Sequence, residues 1–314
     1  MKCNICNTES AEEMQLFDDR YGYKGMFSGY KCESCGQFFL ETSFTSKQIT
    51  ELYTDYYPRS SLEVSSFKPY KEISRLNAWF SGDKRSAFRW VPENVRVLDI
   101  GCGFAQTLGY HKNRGCEVYG VEADENVRKI ANAYDFNIDI GVFDAQKYNK
   151  DFFDYITMDQ VIEHIEKPID TLREIRSILK QNGKLIISTP NCNGWGAKIF
   201  KKKWINWHTP YHVNIFCPKS IKLAASESGF IVSKILTITS SEWIYYQFMH
   251  NICYPTQGQK SLFWSHRYEQ ISIFKKLLMG IAHVVYKLKV FHVITRLFDA
   301  LGIGDNITVV LEKK

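Results

Sequence analysis

The stretch of sequence that decides the fold is Val95-Arg-Val-Leu-Asp-Ile-Gly-Cys-Gly-Phe-Ala105. An apolar run over 95–100 suits a buried parallel strand, and two glycines follow it directly before a stretch with helical spacing. In this order the glycines let backbone approach a ligand closely, and the helix N-terminus directs free N–H groups at it. Gln106 stands where the dinucleotide-binding fingerprint has its third glycine, which disfavours a pyrophosphate-binding dehydrogenase. Asp99 also disfavours one, because its carboxylate would repel a pyrophosphate and suits a cationic amino-acid head group.

The strands that follow this turn end in polar side chains. A second strand over 116–121 leads into Glu122, and an acid at this distance from the glycines accepts hydrogen bonds from both hydroxyls of a ribose. A third strand over 136–142 precedes Asp144, and a fourth over 153–158 precedes Asp159 and Gln160. In a doubly wound sheet these strand ends line the ligand crevice. A solvated acid at a strand end is the alternative for Glu122.

Over residues 91–240 these motifs, with the 159–164 segment and Leu179–Pro190, resemble class I S-adenosylmethionine-dependent methyltransferases. The resemblance implies an α/β fold, a doubly wound and mostly parallel seven-stranded Rossmann-like sheet, with S-adenosylmethionine as cofactor. It assigns the methionine end to Asp99, Gly101 and Gly103, the ribose to Glu122 with Ala123 beside it, the adenine amino group to Asp144 with Ala145 beside it, and the sulfonium side to Asp159 and Gln160. Ala105 stands where the family often has a further glycine, which leaves the loop less flexible.

Two cysteine pairs, Cys3-x-x-Cys6 and Cys32-x-x-Cys35, lie near the start of the chain. Each pair is a tight turn that lets two thiolates face one ion, and tetrahedral zinc needs four such sulfurs. Such a site has no open coordination position, so we predict one structural zinc in an N-terminal zinc ribbon, which is too small to be stable by apolar burial alone. An iron cluster, a redox pair or four unrelated cysteines are the alternatives.

The zinc knuckles also resemble the ribbon-bearing branch of the methyltransferases, which includes enzymes of deoxysugar, surface-polysaccharide and secondary-metabolite pathways. The segment Tyr-His-Val-Asn-Ile-Phe at 211–216, followed by a helix and Gly229-Phe230, resembles a segment of the same relatives. This resemblance implies a small-molecule acceptor, such as a sugar or nucleotide sugar, that is methylated on oxygen.

Methylation of a hydroxyl requires a base, and a neutral histidine suits this role. His164 follows the fourth strand, and His208 and His212 follow the fifth, so all three are expected at the same crevice. We rank His164 and His212 as catalytic candidates and place His208 with Tyr56 and Tyr57 at the substrate pocket. Packing or capping is the alternative for these residues.

A catalytic metal is disfavoured. Some quinone-pathway O-methyltransferases carry Glu-x-x-Glu-His at this strand end and hold a divalent cation there, whereas Gln160 here replaces the first acid. The motifs that accompany methylation of bases are absent after the fourth strand, and a net charge of +6 permits a nucleic-acid partner without proving one. Nucleic-acid methylation, supported by the ribbon and the basic segment 198–204, is therefore the runner-up. A non-catalytic adenosine-binding regulator is a third hypothesis.

The 314 residues, 45% hydrophobic and 24% charged, indicate an ordinary globular protein. We predict a zinc ribbon (1–45), an aromatic helical connector (46–90), a methyltransferase core (91–240), a helical insertion (241–302) and a final core strand (303–314). The connector should contain a helix from Ser46 that Pro58 terminates and another over 71–88. Its aromatic side chains should pack between the ribbon and the core.

The segment 271–301 is apolar and carries five basic residues against one acid. It is expected to cover the pocket, form a homodimer face or lie on an anionic membrane surface. No apolar leader opens the chain, and the longest apolar run, over 277–286, is too short to cross a bilayer. We therefore expect a cytoplasmic protein, with peripheral contact at the inner membrane face left open.

Overall fold

The structure is a computed structural model that describes residues 1–41, 44–57 and 63–314. A small antiparallel sheet begins with β1 (Ala11–Leu16), β2 (Phe27–Lys31) and β3 (Phe38–Leu40). The large sheet that follows contains β4 (Arg96–Ile100), β5 (Glu117–Glu122), β6 (Asn137–Ile140), β7 (Phe153–Asp159), β8 (Leu179–Pro190), β10 (Phe230–Thr237) and β11 (Asn306–Lys313), while β9 (Asn214–Ile215) joins the small sheet.

The helices fill the connections between these strands. In chain order they are α1 (Ser46–Glu51), α2 (Arg75–Ser81), α3 (Gln106–Lys112), α4 (Arg128–Tyr134), α5 (Pro168–Ile178), α6 (Trp195–Phe200), α7 (Pro218–Glu227), α8 (Ser241–Ile252), α9 (Ile273–Lys287) and α10 (Val290–Ala300).

The large sheet has the spatial order β10-β11-β8-β7-β4-β5-β6, with β11 antiparallel to its neighbours and the remaining pairs parallel. Its strands are apolar runs because both faces are covered. Val97 belongs to the core on the side of α3 and α4, whereas Leu98 belongs to the core on the side of α5 and α7. The predicted fold class, a doubly wound and mostly parallel seven-stranded sheet, is confirmed.

The four cysteine sulfurs of the N-terminal region lie together. Cys3 Sγ is 3.6 Å from Cys35 Sγ, Cys6 Sγ is 3.4 Å from Cys32 Sγ, and all four atoms are within 4.8 Å of one another. A tetrahedral zinc with Zn–S bonds of about 2.3 Å separates its sulfurs by about 3.8 Å, so this set fits the predicted structural zinc. Gly36 closes the second knuckle at φ 78°, where a Cβ would approach the sulfur of Cys217 to 2.8 Å.

The ribbon joins the core through the strand pair β3–β9, in which Phe38 lies opposite Ile215. The Asn214 side chain reinforces this junction. Its carbonyl oxygen accepts hydrogen bonds from the Asn4 and Gln37 amides, and its nitrogen donates to the Ile165 carbonyl at 2.7 Å. Phe216 is buried in the same core cluster as Cys3 and Cys35. The 211–216 segment therefore holds the ribbon against the core.

The connector differs from its prediction in two ways. The helix predicted over 71–88 is only Arg75–Ser81, because Gly82 adopts φ 77° and ends it. The predicted packing holds for the tyrosines at 53–57, which contact ribbon and core rings, but it is wrong for Leu76 and Trp79, whose side chains are 71% and 55% exposed. Pro58, the predicted end of the first connector helix, lies outside the described residues.

The segment between β10 and β11 forms α8, α9 and α10. In the described ranges no single helix is long and apolar enough to span a bilayer. α9 and α10 reach that length and composition only together, and their axes are bent by 68°.

The zinc site gives a first prediction. Cys32→Ser removes one of four ligands, so it should abolish stoichiometric zinc and lower the thermal midpoint, because the ribbon depends on its metal. Elemental analysis and thermal melts of the purified protein measure both effects. Cys253→Ser is the control, since Cys253 is buried outside the cluster; it should retain one zinc per chain. Wild-type protein without zinc would contradict the assignment.

Candidate functional site

The turn between β4 and α3 places backbone close to the strand ends. Gly101 has φ 77°, and a Cβ at this position would lie 2.4 Å from Cγ2 of Val161, so only glycine fits. Gly103 has φ 54° and faces open space. Ala105 precedes α3 with φ 60°, a left-handed conformation that glycine adopts more easily. The glycines thus leave an open concave edge above β4.

Asp99 is the buried carboxylate of this edge. The hydroxyls of Thr107 and Thr157 donate to its two oxygens. Burial raises the pKa of Asp99 to about 6, and the negative charges of Asp159 and Glu122 add to the rise. A cationic group bound beside it would favour the ionised form.

Glu122 closes the other side of the turn at the end of β5. One carboxylate oxygen accepts from the Gly103 N–H at 2.8 Å, and the other accepts from the Asp124 N–H at 2.9 Å. These contacts hold the carboxylate at the edge of the sheet. Ala123 follows it and is exposed.

Asp144 follows the third strand of the core, and Asp159 ends the fourth. Asp144 is exposed beside Ala145 and accepts from the Gln146 N–H at 2.9 Å. Asp159, the last residue of β7, is partly exposed; the hydration it loses raises its pKa, and it accepts from the Ala87 N–H at 3.1 Å.

The Gln160 side chain is already engaged. Its amide donates to Asn306 Oδ1 at 2.8 Å and to Ser188 Oγ at 3.1 Å, and its backbone turns at φ 59°. The resemblance assigned Gln160 to the sulfonium side of the cofactor. Its amide instead lies against β8 and β11, and its role there stays a prediction.

A cavity of about 550 Å³ lies over this edge of the sheet. It brings together five of the predicted residues, namely Asp99, Gly101, Gly103, Asp159 and Gln160. The other walls come from the connector and the insertion, and they include Tyr70, Ser81, Asp83, Arg85, Ser86, Phe88, Ser240, Ser241, Glu242, Tyr286 and His292. Glu122, Ala123, Asp144 and Ala145 lie outside this lining, along the neighbouring strand ends.

Arg85 and His292 are cavity residues that the sequence analysis missed. The positive charge of Arg85 opposes the rise in the pKa of Asp159, so the guanidinium acts on that carboxylate. Burial lowers the pKa of His292, which packs against Phe80. No spacing rule marks either residue, because each comes from a segment with no motif of its own.

The three candidate histidines form one cluster that does not line this cavity. The His164 and His212 rings are 4.7 Å apart, and those of His208 and His212 are 4.8 Å apart. Burial lowers the pKa of His164 to about 4 and lowers the pKa values of the other two well below the usual range. All three imidazoles are therefore neutral near pH 7.

The hydrogen bonds fix the proton on each ring. His164 Nδ1 faces the Tyr211 carbonyl at 3.0 Å and His212 Nδ1 faces the Asn206 carbonyl at 2.8 Å; a carbonyl only accepts, so both Nδ1 atoms donate. His208 Nδ1, 3.4 Å from His212 Nε2, is then the donor to it. Within the described ranges this leaves two acceptor nitrogens that no other ring engages, His164 Nε2 and His208 Nε2.

Glu163 lies next to this cluster. It is fully buried, burial raises its pKa to about 8, and one of its oxygens has no partner in the described part of the chain. Glu163, His164 and His212 each bring one ligand atom within 4.8 Å of the others. A carboxylate and two imidazoles are a donor set for a divalent cation, so the metal alternative remains testable here.

Tyr56 and Tyr57, predicted at the substrate pocket, belong to an aromatic cluster on the ribbon side. Tyr56 packs on Tyr23, while Tyr57 packs on Tyr211 and His208. Burial raises the pKa of Tyr57 to about 12, and the negative charge of Glu122 adds to the shift. Tyr57 thus packs on the histidine cluster within electrostatic reach of Glu122, and its role stays a prediction.

Curated proteins of similar sequence include O-methyltransferases. The chain is 26% identical over 141 residues to a ubiquinone biosynthesis O-methyltransferase of Stutzerimonas stutzeri, covering 41% of this chain and 56% of that protein. It is 28% identical over 138 residues to the protein of the same name from Azoarcus sp., covering 41% and 57%. The chain thus spans about half the length of the curated relatives it matches.

Among solved structures, the [4+2]-cyclase SpnF superimposes with a TM-score of 0.50 at 15% identity, covering 87% of this chain and 97% of that chain. At this identity the likeness shows the fold alone. The profile of the methyltransferase domain family matches residues 56–235, which is more than half of the chain. The chain therefore belongs to the methyltransferase domain family, as predicted from its sequence, whereas its placement in the branch of sugar, polysaccharide and secondary-metabolite enzymes stays a prediction.

Proposed function

We propose that the protein is an S-adenosylmethionine-dependent methyltransferase that methylates a hydroxyl of a sugar or another small polar metabolite. The observation that carries this proposal is the row of carboxylates at successive strand ends, Asp99, Glu122 and Asp144, around a turn in which only glycine fits at position 101. Acidic groups in this order suit a ligand with a cationic amino acid at one end and a ribose and an adenine at the other.

The residues present fit this cofactor. Asp99 would pair with its ammonium group, Arg85 is the cation placed to bind its carboxylate, and Glu122 would accept from its ribose hydroxyls. The cofactor supplies an activated methyl group that an acceptor takes by in-line displacement. The protein then contributes orientation, because holding the two partners in line supplies much of the acceleration.

The sugar acceptor is supported by the chemistry of the cavity walls. Ser81, Ser86, Ser240 and Ser241 bring hydroxyls to the cavity, and Glu242 adds an exposed acid. Hydroxyls and carboxylates together donate to and accept from a polyol. The curated relatives are named as O-methyltransferases, which supports oxygen as the atom that is methylated.

His164 is the proposed base; because it does not line the cavity, the acceptor would have to extend from the cavity to the histidine cluster. Its Nδ1 is held by the Tyr211 carbonyl, and its Nε2 keeps a free lone pair in an imidazole that is neutral at working pH. His212, whose Nε2 is already engaged by His208, would position the cluster. The competing hypothesis for this cluster is a divalent cation bound by Glu163, His164 and His212.

Calorimetry tests the cofactor site. Wild-type protein should bind S-adenosylmethionine and its demethylated thioether. Glu122→Ala should bind at least about tenfold more weakly, because a hydrogen bond to a charged group contributes roughly 1.5–3 kcal/mol. Glu125→Ala is the matched control, since Glu125 is an exposed acid three residues along that pairs with Arg128; it should bind like wild type. Natively folded wild-type protein that binds neither compound would refute the proposal.

The pH dependence should separate affinity from turnover. The carboxylate of Asp99 is lost as pH falls through about 6, so the KM for the cofactor should rise about tenfold per pH unit below that value. His164 stays neutral down to about pH 4, so kcat should hold between pH 8 and pH 5. Asp99→Asn should bind weakly at every pH. A kcat that falls with a midpoint near 6.5 would contradict the state assigned to His164.

The acceptor and the base are tested together by turnover over a panel of nucleotide sugars, read by the product mass. His164→Asn should lower kcat by roughly 10²–10⁴-fold and leave cofactor binding unchanged. His266→Asn is the control, because His266 is exposed and its φ of 54° suits asparagine. Equal turnover in both variants would exclude His164 as the base.

A chelator separates the base from the metal arrangement. Activity that survives while the ribbon keeps its zinc supports the base. Activity that vanishes with the ribbon zinc retained, and returns with added divalent cation, supports the metal set. A third outcome would favour a non-catalytic, adenosine-binding regulator. In that case both wild type and His164→Asn would bind the cofactor, and neither would turn over any acceptor of the panel.

A further inference from the structure

The largest concentration of exposed apolar side chains lies on α9 and α10. Eleven of the 24 large apolar side chains that are exposed in the described residues fall within 273–301. Their exposed fractions run from 37% to 88%. Single exposed apolar residues are ordinary on a protein surface, but a contiguous group of this size marks an interaction surface.

On α9 the exposed residues form a continuous stripe. Leu277, Ile281, Val284 and Leu288 recur at intervals of four, three and four residues, which places them on one face of a helix. The opposite face carries the buried Ala282 and the half-buried Val285 and Tyr286, which pack in the core of the insertion. The helix therefore has an inner apolar face that packs against the rest of the protein and an outer apolar face that is exposed.

α10 repeats this arrangement. Phe291 and Thr295 are buried on its inner side, whereas Val293, Leu297 and Leu301 lie exposed on its outer side. Both helices contact α8, so their outer faces lie on the side away from that helix. The two outer faces together are called the hairpin surface below.

The charges around the hairpin surface are of one sign. Lys275, Lys276, Lys287 and Lys289 form no ion pair in the described part of the chain, whereas Arg296 pairs with the single acid of the segment, Asp299, at 2.7 Å. Within 271–302 every unpaired Lys, Arg, Asp or Glu side chain is thus a lysine. The exposed Trp79 of the connector extends the surface, since its carbonyl accepts a hydrogen bond from Arg296.

We propose that the hairpin surface docks the protein onto the anionic face of a lipid bilayer. Apolar outer faces of paired helices that lie in the interface bury their side chains at the boundary of head groups and acyl chains, and flanking lysines attract anionic lipids. A tryptophan at the edge of such a surface suits the interface, because its ring is apolar and its N–H is polar. The bend of 68° between the helices prevents a straight span but lets both axes lie in one plane.

The charge pattern favours a bilayer over a second copy of the chain. A symmetric dimer through this surface would bring the unpaired lysines of two copies together without facing acids. An anionic lipid surface provides the opposite charge and an apolar layer at once. Tyr286 and His292, on the inner side of the same helices, line the cavity, so docking would place the cavity beside the bilayer.

Flotation with vesicles tests the proposal on the full chain. Wild-type protein should float with equimolar phosphatidylcholine and phosphatidylglycerol vesicles, less with phosphatidylcholine alone and less at high salt. Lys276→Gln and Lys287→Gln should each weaken vesicle binding roughly fivefold, because each lysine near an anionic membrane contributes about 1 kcal/mol.

The apolar contribution needs its own variant. Leu277→Glu with Leu297→Glu should lower vesicle binding about tenfold or more, because both side chains leave the acyl boundary and carry the lipid's own charge. The matched control is Ile199→Glu with Ile231→Glu, which changes two side chains of similar exposure outside α9 and α10; it should float like wild type.

Three results would overturn the proposal: no flotation of wild-type protein, equal loss in the test and control pairs, or a lipid-free dimer that only the hairpin variant dissociates. Calorimetry with the cofactor on each variant reports the fold and cofactor binding independently. Failure to bind vesicles with the cofactor site intact would therefore leave the proposed function untouched.

Discussion

The Asn214 side chain is the contact on which the arrangement of this protein depends. It accepts from two amides of the ribbon and donates to the Ile165 carbonyl of the core, next to the strand pair β3–β9. A segment of about forty residues cannot stabilise itself by apolar burial, so the ribbon is held by its metal. The same 206–216 segment carries His208 and His212. A zinc ion in the cysteine cluster would therefore help to position histidines that it does not touch.

In the ligand-free protein, two carboxylates at the predicted cofactor-binding edge of the sheet lose hydration at a cost in free energy. Burial raises the pKa values of Asp99 and Asp159, which means that their ionised forms are less favourable here than in water. The hydroxyls of Thr107 and Thr157 offset part of this cost at Asp99. A cationic ligand at that carboxylate would offset more, so binding and stability are linked through the same charge.

Much of the fold could be predicted because its signals are local. The first core strand, predicted over 95–100, differs from β4 by one residue, since an apolar run bounded by glycine and polar residues defines its own ends. The carboxylates at the strand ends were found for the same reason. The helix at 71–88 was overestimated because the sequence spacing does not show that Gly82 adopts a left-handed conformation.

The rest of the site could not be predicted because it is assembled from distant segments. Arg85 and His292 are single polar residues in the connector and the insertion, and only the tertiary fold brings them to one cavity. Carbonyls of other segments fix the same tautomer on His164 and His212, and the two rings differ because His208 engages only the Nε2 of His212. The two-residue strand β9 carries no pattern, and its partner lies far away in the chain.

That separation has a consequence for synthesis. β3 and β9 pair Phe38 with Ile215, which are 177 residues apart. The ribbon leaves the ribosome early and can take up its metal at once, yet its outer strand has no neighbour until residue 215 emerges. At about 5–20 residues/s this wait lasts roughly 10–35 s. During translation the nascent chain thus exposes an unpaired β edge, the type of surface that chaperones and neighbouring nascent chains recognise.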